Sequence, residues 1–188
     1  MTVTLRKPAL NLLSAYVAAL ERGWGPDNLR VEESAREERQ RIAKDPAGFV
    51  VSLDDPEARG GPITLPDGSK TARLPGYNRW IWDDADDFCG SINFRWQNGT
   101  SELPPQVLGH IGYSIVPWLR GKGYAKAALA LLLPDARARG LEYVDLTTDA
   151  DNIPSQRVIR ANGGYPIERF RKLPEFGGAE SIRFRIDL

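Results

Sequence analysis

Apolar residues recur at helical spacing in "ALNLLSAYVAALERG", where Leu10, Leu13, Val17 and Leu20 share one face. This predicts an amphipathic helix stopped by Gly23. The next stretch, "RVEESAREERQRIAKDP", is so charged that it predicts a mostly solvated helix ended by Asp45-Pro46. A short strand, "VTLRKP", precedes both, and "WGPDN" is a turn between them. Further on, "FVVSLDD", "RWIW", "FCGSINFRW" and "VLGHIGYSIV" predict strands, the last three joined by "DDADD" and "QNGTSELPPQ". Between Pro56 and Gly76, Gly-rich turns flank "ITLPDGSKTARLP", with Pro66-Asp67-Gly68 as a hairpin signal.

Helical spacing returns from about Lys122 to Arg139 and stops at Gly140. "LEYVDLTT" predicts a buried strand, and "NIPSQRVIRANGG" a short helix with Asn152 as cap and Gly163 past its end. "YPIERFRK" and "ESIRFRIDL" predict two closing strands. The order is strand, two helices, antiparallel strands, then strand–helix–strand–helix–strand–strand. It predicts an α/β fold with a mixed sheet, as one domain over residues 1–188. No repeat, low-complexity tract or linker divides it.

Composition narrows the function classes. Lys plus Arg (25) balances Asp plus Glu (25), so no basic field exists for gripping nucleic acid. One cysteine, Cys89, forms no internal disulfide and reads as a small buried residue; with a single histidine there is no zinc-ligand set, and no metal is expected. The first twenty residues lack a signal-peptide pattern, and their apolar stretch is too short to cross a bilayer. A cytoplasmic protein with no membrane partner is expected.

Chemistry concentrates in "YSIVPWLRGKGYAKAALALLL", Tyr113 to Leu133, an apolar strand passing through Gly and Arg into a helix. A helix start leaves N–H donors unpaired and carries partial positive charge, so phosphate is the expected guest. The mononucleotide loop fails because Lys122 is followed by Gly123 and Tyr124, not Ser or Thr. The dinucleotide fingerprint fails because Lys126 stands where its third small residue belongs. Arg120, Gly123 and Ala125 do match Arg/Gln-x-x-Gly-x-Gly/Ala. With the strand "HIGYSIVP" before the loop and "VDLTTDADNIPSQRVIRANGGY" after its helix, the chain resembles the GNAT N-acetyltransferase superfamily. The resemblance covers about Phe88 to Ile186, the cofactor-binding core (88–186). "LSAYVAALERGWGPDNLR" is similar to the opening of a bacterial subgroup of predicted acetyltransferases, which extends the likeness through the strand and helices of residues 1–50.

The resemblance implies a GNAT fold: a mixed, mostly antiparallel central sheet with parted parallel strands and flanking helices. It implies acetyl transfer from acetyl-CoA directly to a primary amine of a small molecule or peptide. Pro117 has no N–H, so the strand is expected to leave its neighbour near Val116, freeing backbone groups of Ser114, Ile115 and Val116 for the pantetheine amides. The pyrophosphate would lie on Arg120, Gly121, Lys122, Gly123, Tyr124 and Ala125, with Asn152 and Ser155 nearby in the second cofactor segment. A backbone N–H near Val116 would polarise the thioester carbonyl.

Other readings stay open. His110 shares a strand face with Gly112, Ser114 and Val116; it is either the base that deprotonates the amine or a hydrogen-bonded strand-end histidine. A water held by carboxylates is the other base. "WDDADD" reads as a solvated turn or as an acidic lip attracting a cationic acceptor. Trp80, Trp82, Trp96 and Trp118 read as core or cleft wall. Ile159 departs from the family, which often has a tyrosine there to protonate the thiolate. That departure keeps alive an alternative, a non-catalytic acyl-CoA sensor. A homodimer also stays open.

Overall fold

A computed structural model describes residues 2–64, 68–174 and 177–188. The chain opens with strand β1 (Thr4–Arg6), a 3-10 turn (Leu10–Leu12) and helix α1 (Leu13–Glu21). Helices α2 (Val31–Lys44) and α3 (Pro46–Ser52) follow, then the two-residue strands β2 (Asp54–Asp55), β3 (Ile63–Thr64) and β4 (Lys70–Thr71). The centre holds β5 (Gly76–Trp82), β6 (Phe88–Arg95) and β7 (Ile111–Ile115). Helix α4 (Tyr124–Ala138), β8 (Tyr143–Asp149), α5 (Ile153–Arg160), β9 (Tyr165–Arg171) and β10 (Glu180–Asp187) complete it.

One expected strand is a helix. "FVVS" belongs to α3, and only Asp54 and Asp55 pair as strand, against Tyr77 and Gly76. Asp45-Pro46, which ends α2 as expected, also starts α3. The Asp45 side chain accepts from the Gly48 N–H at 2.8 Å, and Pro46 takes the first helical turn, where a missing N–H costs nothing. The hairpin signal at Pro66-Asp67 lies outside the described residues; the flanking β3 and β4 pair antiparallel.

The strands form two main sheets, β1-β5-β6-β7 with β2 beside β5, and β8-β10-β9. All named pairs are antiparallel. The expected parting of strands falls between β7 and β8, which lie in different sheets. They are tied at one end only: the His110 N–H donates to the Asp145 carbonyl at 2.7 Å, and the Asp145 N–H donates to His110 Nδ1 at 2.9 Å. The vertex of the gap is therefore His110, at the opposite end of β7 from Pro117. The Val116 N–H still bonds the Cys89 carbonyl at 3.0 Å, so Pro117 ends the strand without opening the gap.

Two apolar clusters flank the first sheet. On one face Ile92, Phe94, Ile111 and Ile115 pack with Leu129 and Leu132 of α4. On the other, α1 and the turn after it bring Tyr16 and Trp24 onto Trp80, Trp82 and Phe88, with Tyr16 stacked on Trp80 at 4.8 Å. Trp24 Nε1 donates to Ser114 Oγ at 3.0 Å, and that hydroxyl donates to the Gly25 carbonyl at 3.0 Å. These bonds fix the N-terminal helices over β7.

Candidate functional site

The gap between β7 and β8 opens a cleft of about 1310 Å³, walled also by α2, the loop before α4, and α5. Backbone polarity in the cleft follows from strand alternation. The Arg95 N–H donates to the His110 carbonyl and the Val116 N–H to the Cys89 carbonyl, so Gly112, Ser114 and Val116 direct their bonds toward β6, while His110 splits, its carbonyl to β6 and its N–H to Asp145 of β8. Tyr113 and Ile115 therefore present N–H and C=O to the cleft. This corrects the expectation for Ser114 and Val116: only Ile115 of the three offers ladder groups. Ser114 lines the cleft with its side chain already committed, and Val116 is fully buried. Two of the edge carbonyls have polar partners, Tyr113 from Asn28 Nδ2 at 2.9 Å and Ile115 from Arg120 Nε at 3.1 Å.

At the far end of β7 the chain makes a 3-10 turn (Pro117–Leu119) and enters α4 through Gly121 and Gly123, with φ of +76° and +90°. Only glycine accepts both without strain. The first helical bond is from the Ala127 N–H to the Gly123 carbonyl, and no side chain caps the helix. The amides of Tyr124, Ala125 and Lys126 thus lack helical acceptors. Arg120, Gly121, Gly123, Tyr124 and Ala125 line the cleft; Lys122, which is exposed, does not. The basic residues lining the cleft here are Arg120 and Lys126. Tyr124 contributes backbone alone, since its buried phenol donates to Asp83 at 2.9 Å.

Across the gap, Asn152 caps α5 by accepting from the Ser155 N–H at 3.1 Å, and both residues line the cleft. Ser155 Oγ is 2.8 Å from the Tyr113 hydroxyl. Burial pushes the Tyr113 phenol up to about 12, so it stays protonated. Ile159 is buried beneath it in the α5 wall, and Tyr165 is exposed and bonded to Asp187, away from the cleft.

The α2 side carries groups that the charge-rich sequence concealed. Ser34, Ala35 and Glu38 fall on its inward face, and Glu38 lines the cleft. The Tyr16 hydroxyl donates to Glu38 Oε2, and burial raises the Glu38 carboxyl above the ordinary carboxylate range. Spacing was the available signal: Glu38 follows Ser34 by four residues and precedes Ile42 by four, placing it on the buried stripe.

His110 does not join this wall. It is fully buried, its Nδ1 accepts from Asp145, and its Nε2 has no partner among the described residues. Burial lowers it to about 4, so it remains neutral as a strand-end tie. The acidic lip also dissolves. Asp83 accepts from the N–H groups of Ala85 and Asp87 and holds the β5–β6 turn, while Asp86 pairs with Arg6. None of the four aspartates lines the cleft. Cys89 is fully buried, with its thiol pushed up to about 12.

The acetyltransferase (GNAT) domain model matches residues 4–164. Among solved structures, the microcin C7 self-immunity acetyltransferase MccE, in complex with acetyl-CoA and AMP, aligns at 14% identity with a TM-score of 0.64, covering 99% of this chain and 92% of its own. A GNAT-family acetyltransferase from Bacillus anthracis aligns at 19% identity and 0.62, covering 100% and 95%. RimL, a ribosomal L7/L12 alpha-N-protein acetyltransferase in complex with coenzyme A, aligns at 14% and 0.62, covering 100% and 95%. A search of curated proteins finds no match to the sequence.

Proposed function

The chain belongs to the GNAT acetyltransferase family, and from that premise we propose that it moves the acetyl group of acetyl-CoA directly onto a primary amine of a small molecule or peptide. One observation carries the reading: a single cleft joins the open edge of β7 to the uncapped start of α4. The edge groups of Tyr113 and Ile115 suit the amides of a pantetheine arm. The α4 amides, with Arg120 and Lys126, suit a pyrophosphate. The fold neighbours MccE and RimL, each in complex with acetyl-CoA or coenzyme A, support the same assignment.

In the proposed reaction the amine nitrogen attacks the thioester carbonyl, the C–S bond breaks, and the nitrogen loses a proton. Much of the acceleration comes from holding the two substrates together. The Ile115 N–H, on the open edge, is the candidate for polarising the carbonyl. Glu38 is the candidate base, directly or through one water, because its raised carboxyl holds a proton more readily than an ordinary carboxylate does. The protonated Tyr113 phenol, beside Ser155, is the candidate donor to the departing thiolate. It answers the absence of a tyrosine at Ile159, the feature that favoured a sensor without turnover.

The test is a panel of primary amines, small and peptidic, with acetyl-CoA and a free-thiol readout. Amine-dependent thiol release, matched by acetylated product, is expected. Tight acetyl-CoA binding with no release for any amine would return the protein to the sensor reading.

A further inference from the structure

Several cationic groups around the cleft are already engaged. Arg30 contacts Asp27, Glu33 and Glu37, and Lys172 contacts Asp149 at the cleft margin. Arg120 is bonded to the Ile115 carbonyl. Arg95 shares with Lys126 and Arg157 the lack of a carboxylate within ion-pair distance among the described residues, and its guanidinium hydrogen bond there is to a neutral group, from Nη2 to Asn93 Oδ1 at 2.8 Å. Its surface is accessible, yet the protein encloses it enough for desolvation to work against its charge. Accessible and enclosed together describe a group inside a concavity. Most of the guanidinium donors remain unspent.

Its surroundings are built to hold it there. Asn93 and Arg95 alternate on one face of β6, and Gly112 is the β7 partner of Asn93. A Cβ at Gly112 would approach the Asn93 amide to 3.1 Å, so the bare backbone leaves room for the amide that positions Arg95. Arg95 also borders a second cavity of about 300 Å³, whose walls share Asn93 and Arg95 with the main cleft. It therefore stands at the junction of two spaces. Its backbone N–H bonds the His110 carbonyl at the vertex, five residues of strand from Ile115 and the α4 start, roughly 16 Å. That separates it from the proposed pyrophosphate end.

From this juxtaposition we infer that Arg95 is an anion subsite for the acceptor: the amine that is acetylated belongs to a molecule bearing a carboxylate or phosphate group, which Arg95 receives. The guanidinium fork matches either anion with paired N–H bonds. Asn93 orients the fork, and the smaller cavity accommodates what lies beyond the anion. An unpaired arginine in an enclosed site is unfavourable in the free protein, and an anionic acceptor removes that penalty on binding.

This subsite rests on the amine-acetylation reading, so its test keeps turnover and binding separate. Three acceptors of one chain length are compared: an ω-amino carboxylate, an ω-aminoalkyl phosphonate and the plain alkylamine. The wild-type protein should favour at least one anionic acceptor over the alkylamine by about tenfold or more in kcat/KM, and the better anion identifies the class. Arg95→Gln should reduce that preference to about twofold or less with the KM for acetyl-CoA unchanged, and Arg95→Lys should retain part of it. Equal or better use of the alkylamine by the wild type, or a preference surviving in Arg95→Gln, would overturn the subsite while leaving amine acetylation intact. Calorimetric titration of the same three compounds into CoA-saturated protein covers the case of no turnover. Anion-dependent binding lost in Arg95→Gln upholds the subsite even if acetylation fails, and its absence from the wild type overturns it.

Discussion

The two halves of the cleft are made differently. The half around α4 is backbone: the edge groups of Tyr113 and Ile115, two left-handed glycines, and a helix start without a side-chain cap. The other half is side chain: Glu38 and Arg95 come from elements distant in sequence and line one cleft only in the folded chain. A backbone site is specified by a local run of residues and serves a cofactor shared by many enzymes. A side-chain site is assembled by tertiary packing and can change with the acceptor. On the proposed assignment, what binds in common is written locally, and what discriminates is written at a distance.

The sharpest way to break that contrast is Glu38→Gln. If the side-chain half supplies the base, maximal turnover should fall about a hundredfold or more, while acetyl-CoA affinity stays unchanged. The acid limb of kcat/KM should change as well. Glu38 acts deprotonated, so in the wild type the rate rises with pH through its raised carboxyl value, and that limb should disappear in the variant. Near-normal turnover would remove Glu38 from the chemistry.

The vertex gives the next largest effect, on stability. His110 is held at about 4 in the fold against about 6.5 in an unfolded chain. Between those values the unfolded chain binds the extra proton, so stability is full above about pH 6.5 and declines as pH falls toward about 4. The loss should reach about 2 kcal/mol near pH 5. His110→Asn keeps an acceptor for the Asp145 N–H and should flatten this part of the profile, measured by denaturant melts across pH. An unchanged pH dependence would mean that His110 does not titrate as its burial requires.

The smallest effect is expected at the thiolate. A thiol with a pKa near 8.5 leaves as thiolate with little acid help near neutrality, so Tyr113→Phe and Ser155→Ala should each cost less than about tenfold in turnover. A hundredfold loss in either would make the α5 wall as decisive as α2.

How much of this was legible follows from the same contrast. Gly121, Gly123, Ala125, Asn152 and Ser155, singled out by local spacing, all line the cleft, because turn and cap chemistry is local. Lys122 does not line the cleft, since sequence adjacency does not say which side of a turn faces it; Lys126, the third residue of α4, does. Val116 was misassigned because a strand's hydrogen-bonding parity depends on its partner, here fixed by the bond to Cys89. Pro117 was credited with a gap whose vertex lies at His110. Asp45-Pro46, read as the end of one helix, also starts α3 through its capping bond to Gly48. Arg95 carried no sequence signal, since its proposed role rests on its enclosure beside Asn93 and on the lack of a carboxylate partner among the described residues.

The most direct measurement crosses two variants with two ligands. Gly123→Glu places a side chain and negative charge at the α4 start, and Arg95→Gln removes the cation at the vertex. Acetyl-CoA affinity is read by titration, and kcat/KM for an anionic amine is read by thiol release at saturating acetyl-CoA. Gly123→Glu should weaken acetyl-CoA binding by about tenfold or more, a loss of roughly 1.4 kcal/mol. Arg95→Gln should leave acetyl-CoA affinity unchanged and lower kcat/KM for the anionic amine by about tenfold. If a folded Gly123→Glu variant binds acetyl-CoA normally, or Arg95→Gln weakens acetyl-CoA as much as it weakens use of the amine, the division of the cleft into a backbone cofactor half and a side-chain acceptor half is wrong.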